Sequence, residues 1–279
     1  MADFGGKSVA EQPALPFDPR HLRGARLRRG IYLLPSMFTV ANLLCGYYAV
    51  VAALGGATHD FDHAAKAIGY AILFDSLDGR VARMTGTNTE FGKQFDSLAD
   101  VVSFGIAPAV LAYAWGVRSL PAQESISVQQ LAQLGWLSCL IFLICCAWRL
   151  ARFNVQGMAP GGLGYFVGMP TPAAAGAIAA IVHAFKAPLQ DWRWSAGWLL
   201  LAAVLGALMT STVRYYSFKD VAWTKRQPSL AIVIIALIAA AVWLYSEIAL
   251  FVIAVGYASI GLLLHVVRWV RHHAVTRTA

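Results

Sequence analysis

Long apolar runs alternate with short polar breaks along the chain, and that alternation predicts its elements. Eight runs, at roughly 31–55, 64–84, 93–117, 131–154, 171–187, 196–214, 229–246 and 248–268, approach the ~20 residues that a helix needs to cross a bilayer. The fifth, PTPAAAGAIAAIVHAF, is rich in small residues, which lets neighbouring helices approach closely. The pattern predicts an all-α, polytopic transmembrane helical bundle. Residues 1–30 form a polar N-terminal segment, residues 31–214 a six-helix core, and residues 215–279 two further spans with a basic tail. No internal repeat or low-complexity stretch interrupts this plan.

The second and third runs break the pattern in one respect: they carry carboxylates. Asp75 and Asp78 stand three residues apart, Asp96 and Asp100 four apart. On helices each pair projects from one face. A loop around Thr85–Phe91 would bring the two pairs together. A carboxylate at membrane depth costs ~2.5–3.5 kcal/mol, so four together call for neutralising positive charge. An all-oxygen set suits Mg²⁺ or Mn²⁺. Two divalent ions would balance four negative charges and clamp a phosphoryl group from both sides. The plainer alternative is a set of helix-end acids at the membrane surface.

Composition agrees with the run pattern. The 279 residues are 58% hydrophobic and 13% charged, too apolar for a soluble domain of this size. The net charge of +8 does not imply nucleic acid, because the basic residues sit at the ends of apolar runs. An N-terminal cluster, Arg20, Arg23, Arg26, Arg28 and Arg29, precedes the first run. It reads as a membrane-surface segment or a topology anchor. No short apolar core with a cleavage site precedes the first span, so a cleaved signal peptide is not expected. With the N-terminus in the cytoplasm, all of the 22 basic residues except Lys66, Arg118, Lys186 and Arg193 fall on the cytoplasmic side. The bias has the direction of the positive-inside rule. It places Asp75, Asp78, Asp96, Asp100, Arg149 and Arg152 at one face of an inner membrane. Cys45, Cys139, Cys145 and Cys146 lie in apolar runs without C-x-x-C spacing and read as packing residues. His183 and His265 read as buried or interfacial polar residues.

A second polar constellation is WRLARFN, Trp148 to Asn154, at the end of the fourth run. Arg149 and Arg152 share a face. Two arginines and an asparagine there suit a carboxylate or phosphate; stop-transfer basicity is the alternative.

The stretch from Asp75 to Asp100 resembles the CDP-alcohol phosphotransferase family. That family's pattern, D-x2-D-G-x2-A-R-x8-G-x3-D-x3-D, is filled without a gap by Asp75, Asp78, Gly79, Ala82, Arg83, Gly92, Asp96 and Asp100. DSLADVVSFGIAPA, RLARFNV, GMPTPAAA and LPSMFTVANLLCGYYA are similar to the serine-accepting bacterial branch of the family, over about residues 30–180. The family often has Asn where Ser36 stands, whereas Asn42 is retained.

The resemblance implies a metal-dependent transfer of a phosphatidyl group from CDP-diacylglycerol to L-serine. Asp75, Asp78, Asp96 and Asp100 would hold two Mg²⁺ or Mn²⁺ ions, with Asp100 also the general base. Asn42, Gly79, Ala82, Arg83 and Gly92 would contact the nucleotide and phosphates. Ser97, Ser103, Arg149 and Arg152 are the candidates for serine binding. Membrane lipid and a second copy of the chain are the expected partners. Two other readings compete: the same chemistry with glycerol 3-phosphate, inositol phosphate or choline as acceptor, and an ion-coupled transporter. The transporter reading predicts acids spread through the bilayer and repeat symmetry, and the sequence has neither.

Overall fold

A computed structural model describes residues 19–86, 89–120, 126–156, 165–216 and 244–259. Seven helices account for nearly all of these. They are α1 (Pro19–Gly55), α2 (Thr58–Thr85), α3 (Glu90–Arg118), α4 (Ile126–Gln156), α5 (Thr171–Phe185), α6 (Trp192–Thr210) and α7 (Ser246–Ser259). The helical expectation holds for every run among the described residues. The seventh run lies outside them except for its last residues. Two three-residue strands were not expected: β1 (Tyr165–Val167) and β2 (Arg214–Tyr216) pair antiparallel, Phe166 opposite Tyr215. They tie the loop before α5 to the end of α6. The helix expected to start near residue 31 begins at Pro19 instead, and proline is well placed at a first helical position.

The helix ends follow from local chemistry. Gly86 closes α2 in the left-handed region (φ 63°), its N–H bonded to Ala82 O; glycine takes that conformation at no steric cost. Thr89 caps α3, its side chain accepting from the Gly92 N–H at 3.0 Å. The α3 helix is continuous but widens into π turns at Val101–Ile106 and Ala114–Arg118. The first begins immediately after Asp100, and such turns recur at functional sites.

Alanines line much of the packing between helices, with Phe61, Phe104, Phe142 and Leu111 filling the core around them, while one helix turns large side chains outward. Ala49, Ala53, Ala64, Ala71, Ala112 and Ala174 are all essentially inaccessible. Met37, Leu44, Tyr47, Tyr48, Val51 and Leu54 of α1 face outward. A soluble protein would bury such side chains; a helix in lipid has no need to. Ser36–Gly55, Glu90–Arg118, Gln129–Val155 and Trp192–Thr210 are each long and apolar enough to span a membrane. The α2 helix is long enough but carries the charges of the site, and α5 and α7 are shorter apolar helices. These features make the chain a helical membrane protein.

Within the bundle α1 packs along α2, α4 along α6, and α5 against α2. The α1 and α3 helices cross closely at Gly46. A Cβ there would stand 2.3 Å from Ser103 Oγ and 2.7 Å from Ser103 Cα. Ser103 Oγ donates to the Asn42 carbonyl at 2.9 Å. That contact fixes the height of Asn42 and Thr39 relative to the acidic face of α3.

Lys66, Arg118, Lys186 and Arg193, the four basic residues set apart by the charge count, lie at the end of the bundle away from Asp75, Asp78, Asp96 and Asp100. Lys66 pairs with Asp62 at 2.7 Å, and Lys186 pairs with Glu247. Arg118 donates to Leu54 O at 3.1 Å, and Arg193 stacks over Trp192.

The Gly46 contact yields a stability test. Gly46→Val should force α1 and α3 apart at backbone level and destabilise the protein by about 1–3 kcal/mol. A lowered midpoint in detergent thermal unfolding checks it; Gly197→Ala, where nothing lies within 4 Å, should leave the midpoint near wild type.

Candidate metal centre

Three helices converge on the acidic cluster. The α2 helix brings Asp75 and Asp78, α3 brings Asp96 and Asp100, and α1 brings Thr39 and Asn42. One carboxylate oxygen from each of Asp75, Asp78 and Asp96 lies within 4.8 Å of the other two. That spread is close to one coordination sphere, since two oxygens across a Mg²⁺ stand ~4 Å apart. Asp78 and Asp100 are buried; Asp75 and Asp96 are half-buried. Asp100 lies one helical turn beyond Asp96, outside the three-carboxylate group.

The first helix orients two of these acids. Thr39 Oγ1 donates to Asp78 Oδ2 at 3.2 Å, and Asn42 Nδ2 donates to Asp100 Oδ1 at 3.0 Å. Asp96 Oδ1 and Asn42 Oδ1 are buried without a protein hydrogen-bond partner. Among the described residues, no lysine or arginine pairs with Asp78, Asp96 or Asp100. Buried carboxylates without a counter-charge are expensive. Hard oxygen donors, a buried oxygen left unpaired and negative charge gathered in one place all fit a divalent cation.

The remaining candidates fall into two groups. Gly79 and Ala82 lie half-buried along α2, and Arg83 is exposed one turn beyond Gly79. A Cβ added at Gly79 would meet nothing nearer than Arg83 Nη1 at 4.0 Å. The backbone there is open to a ligand. Arg149 is half-buried, with its Nε lacking a protein partner, and it lies within electrostatic reach of Asp100 and Arg152.

Other candidates are engaged in packing. Ser103 is buried in the α1–α3 crossing and bonded to Asn42 O. Ser97 Oγ donates to Lys93 O at 3.0 Å and accepts from Asn154 Nδ2 at 2.8 Å, joining α3 to α4. Arg152 reaches Thr210 O and Val167 O, both at 3.4 Å, which ties α4 to the strand pair. Gly92 gives its N–H to the Thr89 cap. The structure thus gathers Asp75, Asp78, Asp96, Asp100 and Asn42, sets Arg149 beside them, and places Ser103 and Arg152 in structural bonds.

Sequence reasoning missed Thr39. Its signal was present: Thr39 and Asn42 are polar residues one turn apart in a mostly apolar run, so they share a face. Asn154 was noted only as part of its motif, because its partner Ser97 is 57 residues away.

Residues 32–210 match the protein family described as CDP-alcohol phosphatidyltransferase. The chain is 32% identical over 262 residues to a Mycobacterium leprae protein named CDP-diacylglycerol–serine O-phosphatidyltransferase, covering 91% of this chain and 81% of that one. A Helicobacter pylori protein of the same name is 32% identical over 209 residues, 75% of this chain and 82% of the relative. One from Methanocaldococcus jannaschii is 33% identical over 195 residues, 69% and 78% of the two chains.

The Thr39 bond generates a binding test. Thr39→Val keeps the shape and removes the donor to Asp78. Partners that orient a metal ligand are worth ~10–100-fold in affinity, so Mn²⁺ binding followed by electron paramagnetic resonance should weaken by at least ~10-fold. Unaltered Mn²⁺ affinity in this variant would show that Thr39 does not orient a ligand.

Proposed function

The chain belongs to the CDP-alcohol phosphatidyltransferase family, and from that membership we propose that it transfers the phosphatidyl group of CDP-diacylglycerol to L-serine, forming phosphatidylserine and releasing CMP. The arrangement that carries this reading is a buried carboxylate, Asp100, one turn from a three-carboxylate cluster and beside an arginine with an unpaired donor. The names of the relatives supply the serine acceptor.

Asp75, Asp78 and Asp96 would hold the cations, two Mg²⁺ or Mn²⁺ ions, with Asp100 completing the set. When bound, the ions neutralise the pyrophosphate and stabilise charge on the transferring phosphoryl group. The rest is the work of the chain's own side chains. Gly79 and Ala82 leave room for the nucleotide along α2. Arg83, at the edge of that opening, contacts phosphate oxygens, for which a guanidinium fork is suited. Gly92 lies across from them at the start of α3.

The acceptor side is built around Asp100. In-line attack by the serine hydroxyl forms a bond to the lipid-side phosphorus as the bond to CMP breaks. The hydroxyl proton passes to Asp100, a role open to a carboxylate held within hydrogen-bond reach. Asn42 fixes one oxygen of Asp100 through its 3.0 Å bond and leaves the other for the substrate. Arg149 receives the serine carboxylate on its unpaired Nε–H. Arg152, bonded to two backbone carbonyls, supports the neighbouring wall, and Ser97 and Ser103 hold α3 in place.

The proposed setting is the inner membrane, with the site and N-terminus cytoplasmic. The bias of the 22 basic residues supports that orientation under the positive-inside rule, since only Lys66, Arg118, Lys186 and Arg193 fall on the opposite side. A homodimer follows from the family resemblance.

Metal-dependent CMP release from CDP-diacylglycerol in detergent, with serine as acceptor, tests the reaction. Asp100→Asn should lower kcat by ~10²–10⁴-fold, the range typical of a general base. Turnover with glycerol 3-phosphate, inositol phosphate or choline in preference to serine would overturn the acceptor and keep the chemistry. Arg149→Lys should raise the serine KM with little change in metal affinity, since lysine lacks the planar fork; an unchanged serine KM would remove Arg149 from the pocket.

A further inference from the structure

A cavity of about 380 Å³ opens at the end of the bundle away from the acidic cluster, and the proposed reaction does not use it. Its volume falls in the ~300–1,000 Å³ range of small-ligand sites. Phe61, Ala114 and Pro188 give it an apolar lining; Arg118, Ser119 and Gln190 add polar groups. Three apolar spans end around it. Ser36–Gly55 and Glu90–Arg118 finish here, and Trp192–Thr210 starts just after Gln190. Trp192 and Trp194 are exposed, and tryptophan is enriched where a membrane meets water. The cavity therefore lies at the depth of lipid head groups.

The acids at this end are already engaged. Asp60 accepts from the Ala57 N–H at 3.2 Å and meets His59 at 3.1 Å. Asp62 holds Lys66 at 2.7 Å and His183 Nδ1 at 2.5 Å, and His183 Nε2 lies 3.0 Å from Ser246 Oγ. Asp191 accepts the Arg193 N–H at 2.9 Å, and Glu247 pairs with Lys186. Among the described residues, Arg118 pairs with none of these carboxylates. One Nη1–H of Arg118 donates to Leu54 O at 3.1 Å, and a single carbonyl leaves most of a guanidinium's N–H donors over. The Leu54 side chain faces outward, so the cavity adjoins the lipid-facing surface of α1. Ser119 Oγ is spent on Ala114 O at 2.9 Å and shapes the wall. Gln190 is exposed and brings a neutral carboxamide donor.

We propose that this cavity binds the phosphate group of a membrane phospholipid, with Arg118 as its principal ligand and Gln190 beside it. A guanidinium fork matches two phosphate oxygens at once. A free phosphate ion presents the same oxygens, but the apolar lining and the adjoining lipid-facing surface favour the lipid. The bound molecule sits in the leaflet away from the acidic cluster and is distinct from the CDP-diacylglycerol of the proposed reaction.

The test is native mass spectrometry of the full chain in detergent, titrated with phosphatidylglycerol in the presence of EDTA, which keeps divalent ions from the acidic cluster. Arg118→Gln should weaken the tightest-bound lipid by ~10-fold or more, as loss of hydrogen bonds to a charged group does. A glycolipid with the same acyl chains and no phosphate should bind wild type and variant alike. Equal phosphatidylglycerol affinity in wild type and Arg118→Gln overturns the proposal. Gln190→Ala leaves the Leu54 bond in place and should weaken the same lipid by ~2–10-fold, the weight of one neutral hydrogen bond. If Arg118→Gln lowers the lipid-free thermal midpoint while Gln190→Ala binds lipid as wild type does, the effect is structural and the proposal is overturned. Inorganic phosphate is the second arm. Protection of wild type but not of Arg118→Gln against thermal unfolding by phosphate, with lipid affinity equal in both, would assign the cavity to the free ion and overturn the lipid. None of these readouts involves serine or CMP, so they hold whichever alcohol the enzyme accepts.

Discussion

Negative charge gathered at one end of a membrane bundle is the condition on which the rest of this structure depends. Asp78 and Asp100 are buried, and Asp75 and Asp96 are half-buried. Carboxylates so placed repel one another and lose hydration. The bundle holds them together all the same. Thr39 and Asn42 each spend a hydrogen bond on orienting one of them, and the close crossing at Gly46 sets the height of both. A chain that fixes repelling groups so firmly is organised for a ligand that cancels the repulsion. A pair of divalent cations with a pyrophosphate is such a ligand, and membership of a family that acts on CDP-alcohols agrees with it.

Holding that cluster requires helices to approach one another closely. The Ser103 hydroxyl, which sequence reasoning offered to the substrate, is spent on the α1–α3 crossing. Arg152 likewise anchors α4 to the strand pair and the end of α6. The wide turn that follows Asp100 in α3 lies at the same level. Neighbours a turn apart are therefore engaged differently. Asp100 takes the Asn42 bond beside the acidic cluster while Ser103 is spent on the α1–α3 crossing; the Arg149 Nε is buried without a protein partner while Arg152 closes two backbone carbonyls.

Much of this was legible in the sequence because it is local. Carboxylates three and four residues apart share a helix face whatever the tertiary fold, so the two pairs were visible at once. The eight-position pattern then tied them to a phosphotransferase. Four of the eight expected spans, Ser36–Gly55, Glu90–Arg118, Gln129–Val155 and Trp192–Thr210, were legible for the same reason, as hydropathy records the environment of each helix directly. What was not legible depends on contacts distant in sequence. The bond from Thr39 to Asp78 spans 39 residues, that from Asn154 to Ser97 57, and that from His183 to Asp62 121. No periodicity encodes such pairs. His183 was read as a buried polar residue, which it is, but its two partners belong to helices that only the fold brings beside it. The β1–β2 pair escaped for a similar reason: three-residue strands have too little alternation to stand out, and their pairing joins Tyr165 to Tyr216.

The outward-facing leucine, tyrosine and methionine side chains of α1 have a consequence for what counts as the solvent of this molecule. The large side chains of α1 have their van der Waals partners in acyl chains, so the surrounding hydrocarbon completes the packing that an aqueous protein would complete within itself. Cohesion between helices then comes from short backbone distances and a small number of polar bonds, with little contribution from water expulsion. Lateral pressure and chain length in the bilayer thereby become terms in the geometry of the acidic cluster, and the composition of the membrane in which the protein resides acts back on the spacing of the groups at that end of the bundle.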